Sequence, residues 1–361
     1  MFQGDFTGGK NVIYLIQLFL LILFFVVAIF GFAQEVEAKG TGYGEPLDLH
    51  DATAAADPTC IRVNGVYYLY PTTDSASVQC WSSTDRKSWK YEGKVWEAGA
   101  PGSWNDQLIW APDVLPYDGK FYLYYAANQF VGVAVSDSPT GPFIDVYDHP
   151  FIGNGYGGLS GQVIDANAFR DDDGSLYMYC AWHKLSILSV IAASPMADPE
   201  TVTGQWAEAV VPKLDWEFFW AEGPWMLKED GIYYLMYSGN GANWPFYAIG
   251  YATATDPMGP FTKYSGNPIL KTDWSSDFWG PGHNSVVKDE SGKMWIFYHT
   301  KTKPTIDWDR RVRINELAVD AEKNLYVVLG DDDTSDDDAA DDDSVDDDSG
   351  KGGNEDEGCG C

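Results

Sequence analysis

The chain has 361 residues, a formal net charge of −31 and aromatic side chains at 15% of its positions. This length allows one large domain or two smaller ones, with ample material for a buried core. No basic patch accompanies the negative charge. Nucleic acid is therefore not expected as a partner, because phosphate binding depends on clustered Lys and Arg.

The N-terminal segment contains an apolar run, NVIYLIQLFLLILFFVVAIFGFA, which follows Lys10 and ends in small residues. Small residues at this point suit a signal peptidase, while about 20 apolar residues are also enough to span a bilayer. We interpret residues 1–33 as a signal peptide or an N-terminal membrane anchor, of which the signal peptide is favoured. Residues 34–44 are interpreted as a linker. In both cases the following domain is expected outside the cytoplasm, in an extracellular, periplasmic or cell-surface location.

The C-terminal residues 331–361 are rich in Asp and end in Cys-Gly-Cys. Their 15 acids and one Lys account for 14 of the 31 net negative charges. Such a segment cannot fold by burying apolar surface, so we predict a disordered tail. A solvated spacer is favoured over weak calcium binding, because no spacing matches a defined calcium loop. The terminal CGC suggests surface attachment or processing, so the chain could be attached through either terminus.

The cysteines do not indicate a function. No spacing matches a zinc site. In an exported protein Cys60 and Cys80 could form a disulfide, or they could be two small buried residues. The five cysteines are Cys60, Cys80, Cys180, Cys359 and Cys361.

Five segments repeat the same pattern of a turn pair ending in Gly followed by a short aromatic-rich strand. Asn-Gly and Asp-Gly before such residues predict tight hairpins with primed turns. No window between residues 41 and 329 suggests a long amphipathic helix. Repeats of about 55 residues predict an all-β fold, a five-bladed β-propeller over 45–330. A β-sandwich with coincidental hairpins is the alternative, and the near-equal spacing disfavours it. The turn glycines are Gly65, Gly119, Gly174, Gly231 and Gly292.

Polar residues recur at the start of the predicted inner strands, which should converge around a central channel. Nine residues before the turn glycine stand Asp165, Glu222 and His283, and Asp57 stands eight before. Solvent exposure at the end of a strand could explain any one of these polar residues. The residues next to most of them are apolar, however, which disfavours this explanation for all four. The second repeat offers Trp110 and Asp113 at nine and six residues before its glycine.

Three carboxylates in an aromatic-lined pocket fit glycoside hydrolysis, in which one carboxylic acid protonates the leaving oxygen and another carboxylate activates water. The acid must stay protonated, which burial beside rings or a neighbouring negative charge can achieve. Glu222 has the better setting for the acid because Trp220 and Trp225 flank it. Asp57 is then the candidate base, and Asp165 could tune the pKa of Glu222 and orient it.

The successive blade openings resemble those of glycoside hydrolase family 43, from about Asp57 to the RRVRINELAVD segment near Arg310. The resemblance implies a five-bladed propeller and inversion at the anomeric carbon, with Asp57 as general base, Asp165 as pKa modulator and Glu222 as general acid. Ala166-Asn167 departs from the more usual proline-containing run, which weakens the assignment of the third motif. The openings are ADPTCIRVNGVYYLYPT, WAPDVLPYDGKFYLYYA, VIDANAFRDDDGSLYMY, WAEGPWMLKEDGIYYLMYSGNG and GPGHNSVVKDESGKMWIFYH.

The resemblance also suggests supporting residues. His283 would lie near the channel axis, where family members hold a structural calcium ion or a water cluster, although the chemistry requires no cofactor. Arg310 or Arg311 could reach substrate hydroxyls, or both could be solvated surface residues. The expected substrate contacts are Trp110, Asp113, Trp220, Arg310 and Arg311.

The expected activity is that of an α-L-arabinofuranosidase, arabinanase or β-xylosidase, acting as a monomer. Its substrate would be an arabinose- or xylose-containing oligosaccharide or polysaccharide of plant type. The openings WAEGPW and GPGHNSVV look closest to the arabinofuranosyl branch. The alternatives are a non-catalytic carbohydrate-binding propeller at the cell surface and a surface calcium binder. The complete carboxylate set favours the enzyme.

Overall fold

The structure is a computed structural model that describes residues 42–49, 52 and 54–330. The predicted signal peptide or anchor (1–33), most of the predicted linker and the predicted tail (331–361) lie outside the described residues. Strands and loops make up the described chain, apart from one short 3-10 helix at Asp215–Glu217. Within these residues, no helix has the length and apolar character needed to cross a membrane.

The strands form five antiparallel sheets in which neighbours along the chain are neighbours in the sheet, and the third sheet has one extra strand at its edge. The first sheet contains β1 (Ala56–Val63), β2 (Val66–Thr72), β3 (Ser77–Ser83) and β4 (Lys90–Glu97). The second contains β5 (Trp110–Tyr117), β6 (Lys120–Ala127), β7 (Phe130–Ser136) and β8 (Ile144–Asp145). The third contains β9 (Gln162–Arg170), β10 (Leu176–Leu185), β11 (Leu188–Asp198), β12 (Thr201–Val202) and β13 (Ala207–Val210). The fourth contains β14 (Ala221–Glu229), β15 (Ile232–Gly239), β16 (Ala248–Ala254) and β17 (Thr262–Lys263). The fifth contains β18 (Trp279–Lys288), β19 (Met294–Lys301), β20 (Arg310–Val319) and β21 (Leu325–Val328).

The five sheets are the blades of a closed propeller, as predicted. The first strand of each blade contacts the first strand of the next, and β1 also contacts β18, so the ring closes. The core is divided among the interfaces between blades. Tyr70 of the first blade packs with Leu123 of the second, and Tyr124 of the second blade packs with Met178 of the third. Apolar faces on both sides of each blade are therefore buried.

The start of the described chain is attached to the last blade. The backbone N–H of Leu47 donates to Val312 O at 2.8 Å, and that of Gly330 donates to Gly42 O at 3.1 Å. The ring of Tyr43 stacks on Phe278 with centroids 3.7 Å apart. Residues 42–44, which the sequence analysis assigned to the linker, are thus packed against the propeller.

The predicted primed turns are present in three blades and absent in two. Asp171 N–H donates to Ser175 O at 2.8 Å and Gly174 N–H donates to Asp171 O at 2.9 Å, so the third blade has a longer loop. The loop in the fifth blade, at residues 289–293, has the same two bonds. The three primed turns have positive φ at both central residues, at Asn64-Gly65, Asp118-Gly119 and Asp230-Gly231.

Each inner strand contains a residue with a left-handed backbone at a shared position, and there the pairing with the second strand shifts register. The strand β18 has a second such residue, Gly280 (φ 52°), and a second register shift. Such bulges bend a strand and redirect its side chains. The left-handed residue at this shared position stands nine residues before the turn glycine in the third and fifth blades, which have the longer turns. It stands eight residues before the glycine in the other three blades. Trp110 and Glu222 stand one residue before this position, which corrects the count made from the sequence. The left-handed residues at the shared position are Asp57 (φ 47°), Ala111 (φ 44°), Asp165 (φ 56°), Gly223 (φ 58°) and His283 (φ 49°).

The three described cysteines are buried and carry free thiols: Cys60, Cys80 and Cys180. Burial raises the pKa of each thiol. Of the two alternatives for Cys60 and Cys80, the structure supports small buried residues. Cys359 and Cys361 lie outside the described residues.

Candidate active site

A cavity of about 530 Å³ opens at the end of the propeller where the inner strands begin. Side chains from the inner strands meet residues from the loops between the second and third strands at its wall. The structure therefore brings together seven of the nine residues that the sequence singled out. These are Asp57, Trp110, Asp165, Trp220, Glu222, His283 and Arg310.

Asp113 does not line this cavity. Its carboxylate is buried between two blades, where Oδ2 accepts hydrogen bonds from Ala168 N–H at 2.8 Å and from Asn167 Nδ2 at 3.4 Å. Burial raises the pKa of Asp113 to about 7. The bulge after Trp110 separates the two side chains, so the predicted substrate contact is corrected to a role in joining blades.

Arg311 is the second residue that the cavity does not include. It follows Arg310 on β20, and successive side chains on a strand point to opposite faces. Its Nη1 lies 2.7 Å from Asp309 Oδ1. Of the two candidate arginines, only Arg310 lines the cavity.

Asp57 is held as a carboxylate by positive charge. Its Oδ1 lies 2.9 Å from Arg310 Nη1 and 3.4 Å from His283 Nδ1. Burial by itself would raise the pKa of Asp57, but Arg310 and then His283 outweigh it and hold the pKa well below its usual range. Asp57 is therefore ionised at neutral pH and suited to accept a proton from water.

His299 was missed by the sequence analysis and lies directly behind Asp57. The backbone N–H of Asp57 donates to His299 Nδ1 at 3.1 Å. The imidazole is fully buried and stacks on Tyr247 with centroids 5.6 Å apart. Burial and the charge of Arg310 lower the pKa of His299 to about 4, so the neutral ring supports the strained backbone of Asp57. His299 lies two residues before the end of β19, a second strand, whereas the sequence pattern that located the other polar residues belongs to first strands.

Glu222 has the opposite protonation preference. Burial raises its pKa to about 7, although the hydrogen bond from Trp220 and the nearby hydroxyl of Tyr247 oppose the shift. Trp220 Nε1 donates to Glu222 Oε2 at 2.6 Å. A carboxyl group with this pKa keeps its proton up to about neutral pH and can deliver it to a substrate.

Trp220 is fixed by a buried anchor at Glu217. The Glu217 carboxylate accepts hydrogen bonds from Tyr237 Oη at 2.5 Å and from Lys263 Nζ at 2.6 Å. The carbonyl oxygen of Glu217 accepts the backbone N–H of Trp220 at 2.9 Å. This chain of contacts holds the segment before β14, and so holds the indole that contacts Glu222. Lys263 stands 46 residues further along the chain, beyond the range of local patterns.

Asp165 connects the third blade to the fourth. Its Oδ2 accepts the backbone N–H of Gly223 at 3.0 Å, next to Glu222 in the chain. Burial and then the negative charges of Glu222 and Asp57 raise the pKa of Asp165 well above its usual range. A Cβ atom at position 223 would lie 3.0 Å from the His283 ring, so glycine avoids a tight contact at this position.

Two further side chains with rings line the cavity and were not identified from the sequence. His183, at the end of β10, has its ring 4.7 Å from that of Trp220, and its Nε2 is buried without a hydrogen-bond partner. Trp308, in the loop before β20, lies 5.4 Å from the guanidinium carbon of Arg310. Both lie where a second strand leads into the third, a region for which no sequence pattern predicts cavity residues.

The residues around His283 do not fit the expected calcium ion. Calcium is usually bound by six to eight oxygen ligands, whereas His283 presents Nδ1 to Asp57 and, at 3.9 Å, to Asp165. Among the described residues, no group of three or more His, Cys, Asp or Glu side chains could hold a metal. We therefore assign no chemical step to a metal at this position.

Comparison with known proteins agrees with this geometry. A family model described as glycosyl hydrolases family 43 matches residues 52–324. A β-D-galactofuranosidase of Aspergillus niger is 30% identical over 71% of this chain and 77% of its own length. A β-xylosidase of Xylanibacter ruminicola is 29% identical over 76% of this chain and 96% of its own.

A solved structure gives the same result. The crystal structure of a thermostable family-43 glycoside hydrolase superposes with a TM-score of 0.71 and 34% identity, covering 79% of this chain and 95% of that one. The family match covers most of the described propeller, including every residue of the cavity discussed above. The chain belongs to glycosyl hydrolase family 43 and is an enzyme that hydrolyses O-glycosyl bonds.

Proposed function

We propose that the chain is an inverting glycoside hydrolase that cleaves arabinofuranosyl or xylosyl linkages in plant-type polysaccharides or their oligosaccharides. One observation carries this proposal. Two buried carboxyl groups at the same cavity, Asp57 and Glu222, have pKa values shifted in opposite directions. Inverting hydrolysis needs one ionised and one protonated carboxyl group at the same time.

The proposed reaction assigns a role to each group. Asp57 removes a proton from water as the water oxygen bonds to the anomeric carbon. Glu222 donates its proton to the glycosidic oxygen as the bond between that oxygen and the anomeric carbon breaks. Asp165 fixes the strand that carries Glu222, through Gly223. We assign it the role of pKa modulator because its titration is coupled to that of Glu222, whose charge raises the pKa of Asp165. Exchange of both protons with solvent restores the enzyme.

The substrate proposal rests on the relatives and on the motif resemblance. One relative is a galactofuranosidase and another is a xylosidase. β-D-Galactofuranose and α-L-arabinofuranose share a ring configuration and differ by one carbon on the exocyclic arm, so a furanosyl site could accept either sugar. The openings WAEGPW and GPGHNSVV also favour arabinofuranosyl substrates.

Replacing either proposed catalytic carboxyl group should abolish most of the activity on the natural substrates. We expect Asp57→Asn to lower kcat by about 10²-fold or more on every substrate. Glu222→Gln should be much less damaging on p-nitrophenyl glycosides than on linear arabinan or xylo-oligosaccharides, because nitrophenolate leaves with little protonation. Activity would be measured on p-nitrophenyl α-L-arabinofuranoside, β-D-xyloside and β-D-galactofuranoside, and on the two natural substrates.

Asp113→Asn is the matched control for these variants, since Asp113 is equally buried but lies outside the cavity. It should keep near-normal turnover. Near-normal turnover in Asp57→Asn would contradict the mechanism. A wild-type protein that binds these sugars but hydrolyses none of them would instead be a carbohydrate-binding propeller.

The stereochemical course gives a separate test. We expect the first sugar released to have the anomeric configuration opposite to that of the substrate, because water attacks from the face opposite the leaving group. Proton NMR of the anomeric signals in the first minutes of the reaction, before mutarotation, would identify it. Retention of configuration would mean that a carboxylate acts as nucleophile, and would overturn the role given to Asp57.

The pH profile should reflect the two shifted groups. The value of kcat/KM should fall as pH rises through about 7, because Glu222 then loses the proton it must donate. Activity should persist to below about pH 4, the usual pKa of an Asp carboxyl, because Asp57 stays ionised there. Asp165 and Glu222 are coupled, so when the pair holds a single proton, the group that is ionised raises the pKa of the other. Asp165→Asn removes this coupling and should move the basic limb to lower pH. An unmoved limb would argue against the modulating role.

A further inference from the structure

Exposed apolar side chains are concentrated at one end of the described propeller. Ten of its thirteen large exposed hydrophobic residues lie at the end where the inner strands begin, which is the end that holds the cavity. The other three are Ile144, Tyr326 and Leu329. Scattered exposed apolar residues are normal, but their accumulation on one surface marks a binding region.

Two aromatic pairs stand out within this surface, and we call their four residues the aromatic rim. Phe218 lies against Trp244 with ring centroids 6.3 Å apart, and Phe246 lies against Trp274 with centroids 5.6 Å apart. Phe246 is 40% exposed and Trp274 is 58% exposed. Each pair is held by mutual ring contact, so the exposed faces are presented on side chains that are already ordered.

The rim continues the wall of the cavity outward. Residues 241–243 line the cavity, and the same loop then carries Trp244 and Phe246. The backbone N–H of Trp244 donates to Gly241 O at 2.8 Å, and that of Asp307 donates to Asn243 O at 3.1 Å. Trp308, which follows, lines the cavity and is 63% exposed. None of the four rim residues lines the cavity itself.

The chemistry of this surface suits sugar rings. A sugar presents an apolar C–H face, which can stack on an aromatic ring, and hydroxyl groups at its edge, which can bond to polar neighbours. The net charge of −31 disfavours an anionic polymer. When one sugar of a glycan occupies the cavity, the rest of the glycan chain extends out through the cavity opening. The aromatic rim begins at this opening.

We propose that the aromatic rim binds the part of a neutral polysaccharide chain that lies outside the cavity. Recognition of the substrate then extends beyond the reacting sugar, and a polymer or long oligosaccharide binds better than a disaccharide. This inference rests on the proposed function, since it assumes that the cavity receives one sugar of the same chain.

The test compares Phe246→Ala/Trp274→Ala with Tyr326→Ala, which removes an exposed aromatic ring from β21, away from the cavity. Binding would be measured in a Glu222→Gln background by affinity electrophoresis on arabinoxylan and on linear arabinan. The double variant should bind about tenfold more weakly to the polymer that the Glu222→Gln parent binds. Tyr326→Ala should bind this polymer as tightly as the parent does. Trp274→Ala alone, with a thermal unfolding midpoint close to that of the parent, provides a second folded variant.

Kinetics separate this inference from the proposed function. In the active enzyme, the double variant should raise KM for the polymer about tenfold, while kcat/KM on the p-nitrophenyl glycoside stays within twofold. Four results would each contradict polysaccharide binding by the rim. The rim variants could bind with wild-type affinity, or Tyr326→Ala could lose as much affinity as they do. The double variant could lose as much activity on the small substrate as on the polymer, or the Glu222→Gln parent could bind neither polymer. Rim-dependent retention of polymer by a wild-type protein without hydrolytic activity would contradict the proposed function alone.

Discussion

The contact between Arg310 and Asp57 is the interaction on which the rest of the site depends. A buried carboxyl group without a partner becomes neutral, because burial penalises the charged form. Arg310 reverses this for Asp57, with 2.9 Å between Nη1 and Oδ1. Its charge also lowers the pKa of Glu222, but burial outweighs that effect and leaves the value at about 7. One cation thus leaves two buried carboxyl groups in different protonation states, which is the condition for acid and base catalysis at one cavity.

The propeller makes this contact possible by closing its ring. Arg310 and Asp57 are 253 positions apart in the chain, yet the last blade lies beside the first. Left-handed residues at the start of the inner strands then direct side chains toward the cavity mouth. Such backbone is costly for residues other than glycine, and contacts such as that of His299 with the Asp57 backbone hold it in place. Two of these residues, Asp57 and Asp165, take part in the proposed chemistry, and Glu222 directly precedes a third, Gly223.

The sequence predicted the five blades because each hairpin has a local signal, a turn glycine before aromatic residues. It identified Asp57, Asp165 and Glu222 because each stands close to the start of a first strand. Counting back from the turn glycine aligned Glu222 with the left-handed residues of other blades, although Glu222 stands one residue before that position. The error arises because the turns between first and second strands differ in length between blades. Arg310 could not be separated from Arg311 without knowing which face of β20 meets the cavity. His299 and the Glu217–Lys263 pair depend on contacts between distant segments, which no local pattern reports.

The most direct test of this account is a carboxyl titration by carbon-13 NMR on protein labelled at the side-chain carboxyl carbons of Asp and Glu. Glu222→Gln and Asp57→Asn would assign the two resonances. The account predicts that the Glu222 signal is that of a protonated acid at pH 5 and titrates near 7, while the Asp57 signal is already that of a carboxylate at pH 4. An ionised Glu222 at pH 5, or a protonated Asp57 at that pH, would contradict it.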